Sequence, residues 1–184
     1  MTFSDVAPQS DQITRHFQKG DAASVAVYSP CERYRYTLTR VWEPEGRRAA
    51  FIMLNPSTAT EAQNDPTVER CERRARALGF GAFRVLNIFA WRDTDPKAMR
   101  AAADPVGPDN DAAIIDSLPW ADAVICAWGS HGELLDRGPE VDVLLRERDV
   151  PLAHFGLTKH GHPRHPLYVG YAVQPQPWPV AAAD

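Results

Sequence analysis

Three nearly continuous apolar runs recur along the chain, separated by segments with helical periodicity. The runs are AAFIML at residues 49–54, FRVLNIF at 83–89 and ADAVICAWG at 121–129. A strand covered on both faces of a parallel sheet reads as an uninterrupted apolar run, whereas a half-exposed strand alternates apolar and polar residues. The three runs therefore predict strands of a central, mainly parallel sheet.

A segment nearer the N-terminus has a different pattern. YRYTLTRVW, residues 34–42, alternates in residue type and is rich in β-branched and aromatic side chains. This pattern is typical of a half-exposed antiparallel strand. We expect that strand at the N-terminal edge of the sheet.

Helical patterns fall between the apolar runs, and the clearest begins at Asp65. Aspartate caps helices, Pro66 suits a first turn, and Gly79 favours a stop. Apolar residues between them recur at helical spacing, at Val68, Cys71, Ala75 and Leu78. The segment from Asp65 to Leu78 is therefore a predicted helix.

Two further helices are predicted, at 110–118 and after the pair Gly138-Pro139, where Val141, Leu144 and Leu145 would face inward. Alternation of strands and helices is typical of a three-layer α/β/α fold. We predict one such domain over residues 21–172. A flexible segment at 1–20 precedes it, and a Pro-rich tail at 173–184 follows it.

The composition of the chain mainly argues against certain classes of partner and structural site. The net charge of −4 gives no general attraction to nucleic acid, so such a partner would have to meet a local basic patch. The three cysteines lie far apart without a CxxC pair, which argues against a zinc ribbon or disulfide framework and favours a reducing, cytoplasmic setting. No run of about 18 apolar residues occurs, so we expect no membrane partner.

Polar segments follow the apolar runs, and the carboxyl ends of parallel strands are where ligands gather in α/β sheets. A buried amide is costly unless its hydrogen bonds are met, so Asn55 and Asn87 each need a partner. Each could brace the backbone, as in an Asx-type turn, or recognise a planar polar ligand. We expect four segments to converge: LNPST at 54–58, LNIFAWRDTDP at 86–96, AWGSHG at 127–132 and GLTKHGHPRHPLY at 156–168.

The last of these segments concentrates three histidines and two cations, namely Lys159, His160, His162, Arg164 and His165. It could hold a metal ion, remain a solvated basic loop, or meet a phosphate or an anionic leaving group. The third interpretation is favoured because the loop has no cysteine or carboxylate to complete a metal site. We predict neither a metal nor a cofactor, and the chain lacks GxGxxG, GxxxxGK[ST] and GxSxG motifs.

Taken in order, these segments resemble the motifs of the uracil-DNA glycosylase superfamily. The chain is identified as a member of a bacterial family, domain of unknown function 1643, over about Arg35 to Tyr168. FIMLNPST resembles the superfamily's first motif, which places Asn55 on the residue that positions the attacking water, with Pro56 and Ser57 beside the substrate. RVLNIFAWRDTDP resembles the strand that reads the flipped base, which places Asn87 on the reader.

RHPLYV resembles the final His-Pro motif and places His165 on the residue that donates a hydrogen bond to a carbonyl oxygen of the base. His162-Pro163 is a rival alignment. Arg164 and Lys159 would contact phosphate. In contrast to the superfamily, no aromatic residue follows LNPST to stack on the base, and no cysteine pattern supports an iron-sulfur cluster.

The resemblance implies a uracil-DNA-glycosylase-like fold and a hydrolase that releases a damaged or deaminated base from DNA. An enzyme that processes free nucleosides or nucleotides is an alternative, which the acidic net charge suits better. A catalytically silent nucleic-acid-binding module on the same fold is a third. The predicted partner is therefore DNA or a nucleotide-like ligand.

Overall fold

The structure, a computed structural model, describes residues 11–180. Its framework is one mixed sheet with the strand order β1-β2-β3-β5-β4-β6-β7-β8. The strands are β1 Ile13–Lys19, β2 Ala22–Tyr28, β3 Arg35–Val41, β4 Arg48–Met53, β5 Ala82–Asn87, β6 Ala123–Cys126, β7 Leu152–His154 and β8 Gln176–Pro177.

Only the centre of this sheet is parallel. Strand β4 runs parallel to β5 and β6, and β6 runs parallel to β7. The three predicted buried strands are confirmed as β4, β5 and β6. The outer pairings are antiparallel, so the sheet as a whole is mixed, whereas the apolar runs predicted a mainly parallel one.

The strand predicted at residues 34–42 forms β3, and it is antiparallel as expected. Its predicted edge position is wrong, because β3 lies inside the sheet between β2 and β5. The β1–β2 hairpin adds two strands beyond it. An inner position explains why most residues of β3 are buried.

Both predicted terminal segments contribute strands to the sheet. Strand β1 falls within the segment 1–20 that we expected to be flexible, and β8 falls within the expected tail at 173–184. Most side chains of β1 are exposed, which is why its sequence ITRHFQK lacks an apolar face. Residues 1–10 and 181–184 lie outside the described residues.

The helices are α1 Pro66–Ala77, α2 Pro96–Ala101, α3 Asn110–Ser117 and α4 Arg137–Arg146. The three predicted helices are confirmed as α1, α3 and α4, and α2 is too short to show a period. The Asp65 side chain accepts a hydrogen bond from the backbone nitrogen of Val68 at 2.8 Å and so caps α1. Gly79 follows the helix with a left-handed φ of 77°, a conformation that costs glycine little.

Helices cover both faces of the sheet. On one face α1 contributes Val68, Cys71 and Ala75 to a core that contains Phe51 and Phe83. On the other face α3 and α4 contribute Ile114, Val141 and Leu145, which pack with Ile52 and Leu86 of the sheet. Leu144, also predicted to face inward, is half-buried. Burial on both faces is the reason that β4, β5 and β6 read as apolar runs.

The cap of α1 also ties down the segment that follows β4, because the other carboxylate oxygen of Asp65 accepts from the backbone nitrogen of Ala59 at 3.2 Å. Asp65→Ala removes both bonds, and we expect it to lower the free energy of unfolding by about 1–2 kcal/mol. Urea denaturation followed by circular dichroism measures the change. Asp116→Ala is the matched control, since Asp116 is exposed on α3 and makes no side-chain hydrogen bond within residues 11–180. Equal effects of the two substitutions would contradict the capping role.

Candidate functional site

A cavity of about 710 Å³ opens at the carboxyl edge of the parallel strands. All four polar segments singled out in the sequence contribute to its wall. Of the predicted site residues, Asn55, Ser57, Arg164 and His165 line it. Further lining residues are Leu54, Thr67, Asp93, Thr94, Pro96, Trp128, Gly129, Ser130, His131, Thr158, Leu167 and Tyr168.

Asn55 is fixed by the loop that follows the neighbouring strand. Its Nδ2 donates to the carbonyl oxygens of Asp93 at 2.9 Å, Pro56 at 3.0 Å and Trp91 at 3.5 Å. No donor within residues 11–180 reaches Oδ1. The amide therefore braces the backbone with its nitrogen and keeps its oxygen as an acceptor for a ligand or water.

His165 is held as a neutral hydrogen-bond donor. It precedes a 3-10 turn at Pro166–Tyr168, and its Nδ1 accepts from the backbone nitrogen of Leu167 at 3.4 Å, so the neutral ring carries its proton on Nε2. Burial lowers the pKa of His165 to about 4; the Asp65 carboxylate opposes this shift, and His131 adds to it. At neutral pH the ring is therefore uncharged.

A glycine allows the His165 ring to approach the end of β6. A side-chain carbon on Gly129 would lie 3.1 Å from Cβ of His165, and the φ of Gly129 is 76°. The backbone nitrogen of Gly129 also donates to the carbonyl of Pro163 at 2.7 Å. This contact joins the segment after β6 to the histidine segment and sets the distance between two walls of the cavity.

Asn87, predicted to read the base, does not line the cavity. It is 1% exposed, and its Oδ1 accepts from Arg35 Nη2 at 3.5 Å. Side chains alternate along a strand, so Asn87 projects to the same face as Phe83 and Val85, which is the face that α1 covers. Its Nδ2 has no partner within the described part of the chain. Asn87 therefore faces a buried guanidinium.

Three other predicted residues lie behind or outside the wall. His162 and Thr158 close a tight turn through two hydrogen bonds of 2.8 Å and 3.1 Å, and His162 is buried beside the cavity without lining it. Lys159 is exposed within that turn. Pro56 is buried, and its carbonyl accepts from Asn55 and Asp93. Of the two rival histidines, His165 is the one on the cavity wall.

The region from β3 to the 3-10 turn corresponds to a known family. The family described as "Protein of unknown function (DUF1643)" matches residues 35–167. The chain belongs to this family. No curated protein and no solved structure matches it. The DUF1643 region contains every predicted site residue and every lining residue except Tyr168, whereas the β1–β2 hairpin and β8 lie outside it.

Two aromatic residues contribute to the cavity of this DUF1643 chain, and one of them, Tyr168, was not singled out in the sequence. Trp128 is 1% exposed and forms part of the wall. Tyr168 is 82% exposed at the mouth, with its ring centroid 6.1 Å from that of His165. No aromatic residue follows LNPST, and the aromatic residues near strand ends, Trp128 among them, were interpreted as core residues of which one could stack on a base. In the sequence, Trp128 precedes the glycine of AWGSHG and Tyr168 follows the histidine of RHPLY by three residues. These positions within the candidate motifs were the available signal.

Among residues 11–180 of the DUF1643 chain, no cluster of three or more histidine, cysteine, aspartate or glutamate side chains could hold a metal ion. None of the helices in that range combines the length and apolar character needed to cross a membrane. Asp93 and Arg164 are the charged residues of the cavity wall apart from the histidines. Arg164 is exposed and makes no ion pair in the described range, so its guanidinium is available to an anion.

The lowered pKa of His165 predicts a specific titration. In NMR spectra we expect the ring protons of His165 to shift with a midpoint near pH 4. His165→Gln identifies the resonance. The neutral ring favours the folded state above the unfolded pKa of about 6.5, and this contribution is lost as the pH falls from there toward 4, because only the unfolded chain binds the proton in that range. A midpoint near 6.5 would contradict an imidazole that is partly desolvated and neutral at physiological pH.

The position of Trp128 depends on Gly132, because a side-chain carbon on Gly132 would overlap the indole Cδ1. We expect Gly132→Ala to displace the ring and lower the free energy of unfolding by about 1–3 kcal/mol. Urea unfolding with near-UV circular dichroism measures both effects. Gly170→Ala is the control, since no atom lies within 4 Å of the added carbon there. If Gly132→Ala is as stable as the control, the indole is not packed against that glycine.

Proposed function

We propose that this protein hydrolyses an N-glycosidic bond and releases a damaged or deaminated base from DNA, as the uracil-DNA glycosylase superfamily does. One observation carries the proposal: the free acceptor of Asn55 and the neutral donor of His165 line the same cavity. Its volume of about 710 Å³ suits a nucleotide-sized ligand. The resemblance of the ordered sequence motifs to those of that superfamily supports the same proposal.

The reaction requires little covalent chemistry from the protein. As the sugar–base bond breaks, its electron pair leaves with the base, positive charge grows on the sugar, and a water oxygen forms the new bond to carbon. The proton that the water loses is taken up by the departing base, so the products are a neutral base and a sugar with a new hydroxyl group. Catalysis then consists of holding the water on one side and stabilising the anionic base on the other. The site offers one suitable group for each task.

We assign the water to Asn55 and the base to His165. The Asn55 Oδ1 accepts a hydrogen bond from the water, which directs the water's lone pair at the sugar carbon. The His165 Nε2–H donates to a carbonyl oxygen of the base, where negative charge develops. A neutral donor keeps this role across the whole range above the lowered pKa of His165.

The contacts of Asn55 explain why an amide occupies this position. A carboxylate would activate water better, since Asn is not a base. It would also place a negative charge against the carbonyl oxygens of Asp93 and Pro56, which now accept from Nδ2 at 2.9 Å and 3.0 Å. We therefore expect Asn55→Asp to disturb the loop and not to accelerate the reaction.

The aromatic residues of the wall complete the proposed base pocket. Tyr168 is exposed and can stack on an extruded base, Trp128 contributes a packed apolar wall, and Arg164 can contact a phosphate of the strand. Extrusion costs a few kcal/mol in a duplex, which favours mispaired or single-stranded targets. Asn87 takes no part in this arrangement, because it lies on the α1 face of the sheet.

An enzyme acting on free nucleosides is the second candidate, which the net charge of −4 and the Asp93 carboxylate on the cavity wall favour. Chromatography of reactions with free nucleosides detects a released base directly. Release from free nucleosides together with no release from DNA would favour this candidate. Binding of either ligand without any release would indicate a silent binding module.

The deciding assay uses oligonucleotides that carry uracil, hypoxanthine, xanthine or hydroxymethyluracil, with alkali-labile abasic sites as the product. We expect cleavage of at least one at enzyme excess. His165→Ala should lower the rate about 100-fold, because it removes a donor to the developing anion. His160→Ala is the control, since His160 is exposed in the same loop and outside the cavity. Absence of product on every oligonucleotide would refute the DNA reaction.

A further inference from the structure

A second cleft of about 690 Å³ lies beside the candidate site. Ser57, Asp93 and Thr94 line both concavities, so the two are separated only by the rim that these residues form. The second cleft is bounded on its other side by Arg33 and Arg92. A ligand longer than one nucleotide unit could therefore occupy both.

The arginines of this cleft are not neutralised by carboxylates in the described chain. Arg33 is exposed, and its guanidinium makes no hydrogen bond or ion pair within residues 11–180. Arg92 Nη1 donates to the carbonyl of Glu32 at 2.9 Å, and its guanidinium lies 4.9 Å from the ring centroid of Tyr28. The Glu32 carboxylate is paired with Arg15 at 2.5 Å. Two guanidinium groups are therefore available to an anion in this cleft, whose lining also includes the carboxylates of Glu32 and Asp93.

Backbone hydrogen bonds fix these arginines relative to Asn55. The nitrogen of Arg92 donates to the carbonyl of Arg33 at 2.9 Å, and the nitrogen of Asp93 donates to Pro56 at 3.0 Å. Asn55 Nδ2 binds the carbonyls on both sides of Arg92, those of Trp91 and Asp93. These hydrogen bonds connect the arginines of the cleft to Asn55, the residue proposed to hold the water. The distance between the cleft and Asn55 is therefore set before a ligand binds.

We infer that the second cleft binds the phosphate and sugar of the nucleotide adjoining the target, so that the substrate is a DNA strand crossing the rim at Asp93 and Thr94. Guanidinium groups bind phosphate through paired, charge-assisted hydrogen bonds, and the Ser57 and Thr58 hydroxyls can add to them. This inference rests on the proposed function. It adds the requirement for a polymer, since a free nucleoside has no phosphate to place between two arginines.

The half-buried Trp91 strengthens the case for a nucleotide over a bare anion. Its ring forms part of the cleft wall, and aromatic side chains provide stacking surfaces for bases of a single strand. The net charge of −4 does not oppose this inference, because Arg33 and Arg92 lie at one local surface and form no ion pair within the described residues.

The test is a binding measurement, so that it is separate from the base-release assay. Fluorescence anisotropy is recorded with a labelled single strand of about ten nucleotides containing one deoxyuridine, at a series of salt concentrations. We expect deoxyuridine monophosphate to compete at least about tenfold more weakly than the strand, because it fills only one concavity.

Arg33→Gln and Arg92→Gln should each weaken binding of the strand. Each should also reduce the slope of log K against log salt by about 0.7, because one fewer phosphate is neutralised in the complex.

Two further variants make the result specific. Arg148→Gln makes the same charge change at an exposed residue between the end of α4 and the start of β7. Because β7 runs from there toward the carboxyl edge of the sheet, Arg148 lies far from that edge. It should leave both affinity and slope unchanged. Arg92→Lys keeps the charge but loses the paired geometry, so it should retain the slope while weakening affinity. Circular dichroism spectra confirm that each variant is folded.

The second cleft would be overturned if Arg33→Gln and Arg92→Gln both bound the strand with wild-type affinity and salt slope. It would also be overturned if Arg148→Gln lost as much affinity for the strand as those two variants. These results differ from failure of the proposed function. Strand binding that depends on Arg33 and Arg92 without base release would refute the hydrolase and retain the cleft. Base release from free deoxyuridine without strand binding would refute the cleft and favour the enzyme that acts on free nucleosides.

Discussion

The amide of Asn55 joins the end of β4 to the loop after β5, and the geometry of the candidate site depends on it. Its nitrogen donates to carbonyls of that loop, and so its oxygen is left as an acceptor. The same contacts fix Asp93, which stands on the rim between the two concavities. The Asn55 side chain therefore helps to fix the conformation of the loop after β5. The same hydrogen bonds fix the direction in which its own Oδ1 points.

Buried arginines hold the loops around this centre. Arg35, Arg40 and Arg74 are at most 3% exposed. Their guanidinium groups donate to the loop carbonyls of Ala59 at 2.8 Å, Thr60 at 2.7 Å and Val169 at 2.7 Å, respectively. A buried charge is costly unless its donors are satisfied, so each loop conformation is coupled to the burial of a cation. Burial lowers the pKa of Arg35 to about 10, which still leaves it charged at neutral pH.

Arg74 extends this coupling to the histidine segment. From α1 it binds the carbonyls of Val169 and Gly170, just after the 3-10 turn that His165 precedes. Gly129, just after β6, closely approaches the Cβ of His165. The ring is therefore placed by a helix on one face of the sheet and by the end of a central strand. This placement half-buries the ring and keeps it neutral, as the proposed donation to an anionic leaving group requires.

Local sequence determined much of the fold and part of the site. The apolar runs located β4, β5 and β6, and Asp65, Pro66 and Gly79 located α1, because these patterns depend on neighbouring residues alone. The strand-end rule brought Asn55 and His165 to one edge of the sheet. The polar strand β1 gave no such signal, since its side chains remain largely in solvent.

Tertiary contacts decided the remainder. The β1–β2 hairpin turned β3 from an edge strand into an inner one, and strand alternation directed Asn87 toward α1 and Arg35. Which atoms of Asn55 are free and which histidine lines the cavity are set by partners far away in sequence, such as Asp93 and Gly129. The sequence by itself specified which residues could carry the chemistry. Only long-range packing specified which of their atoms face the same space, because that depends on backbone groups brought together by the folded sheet.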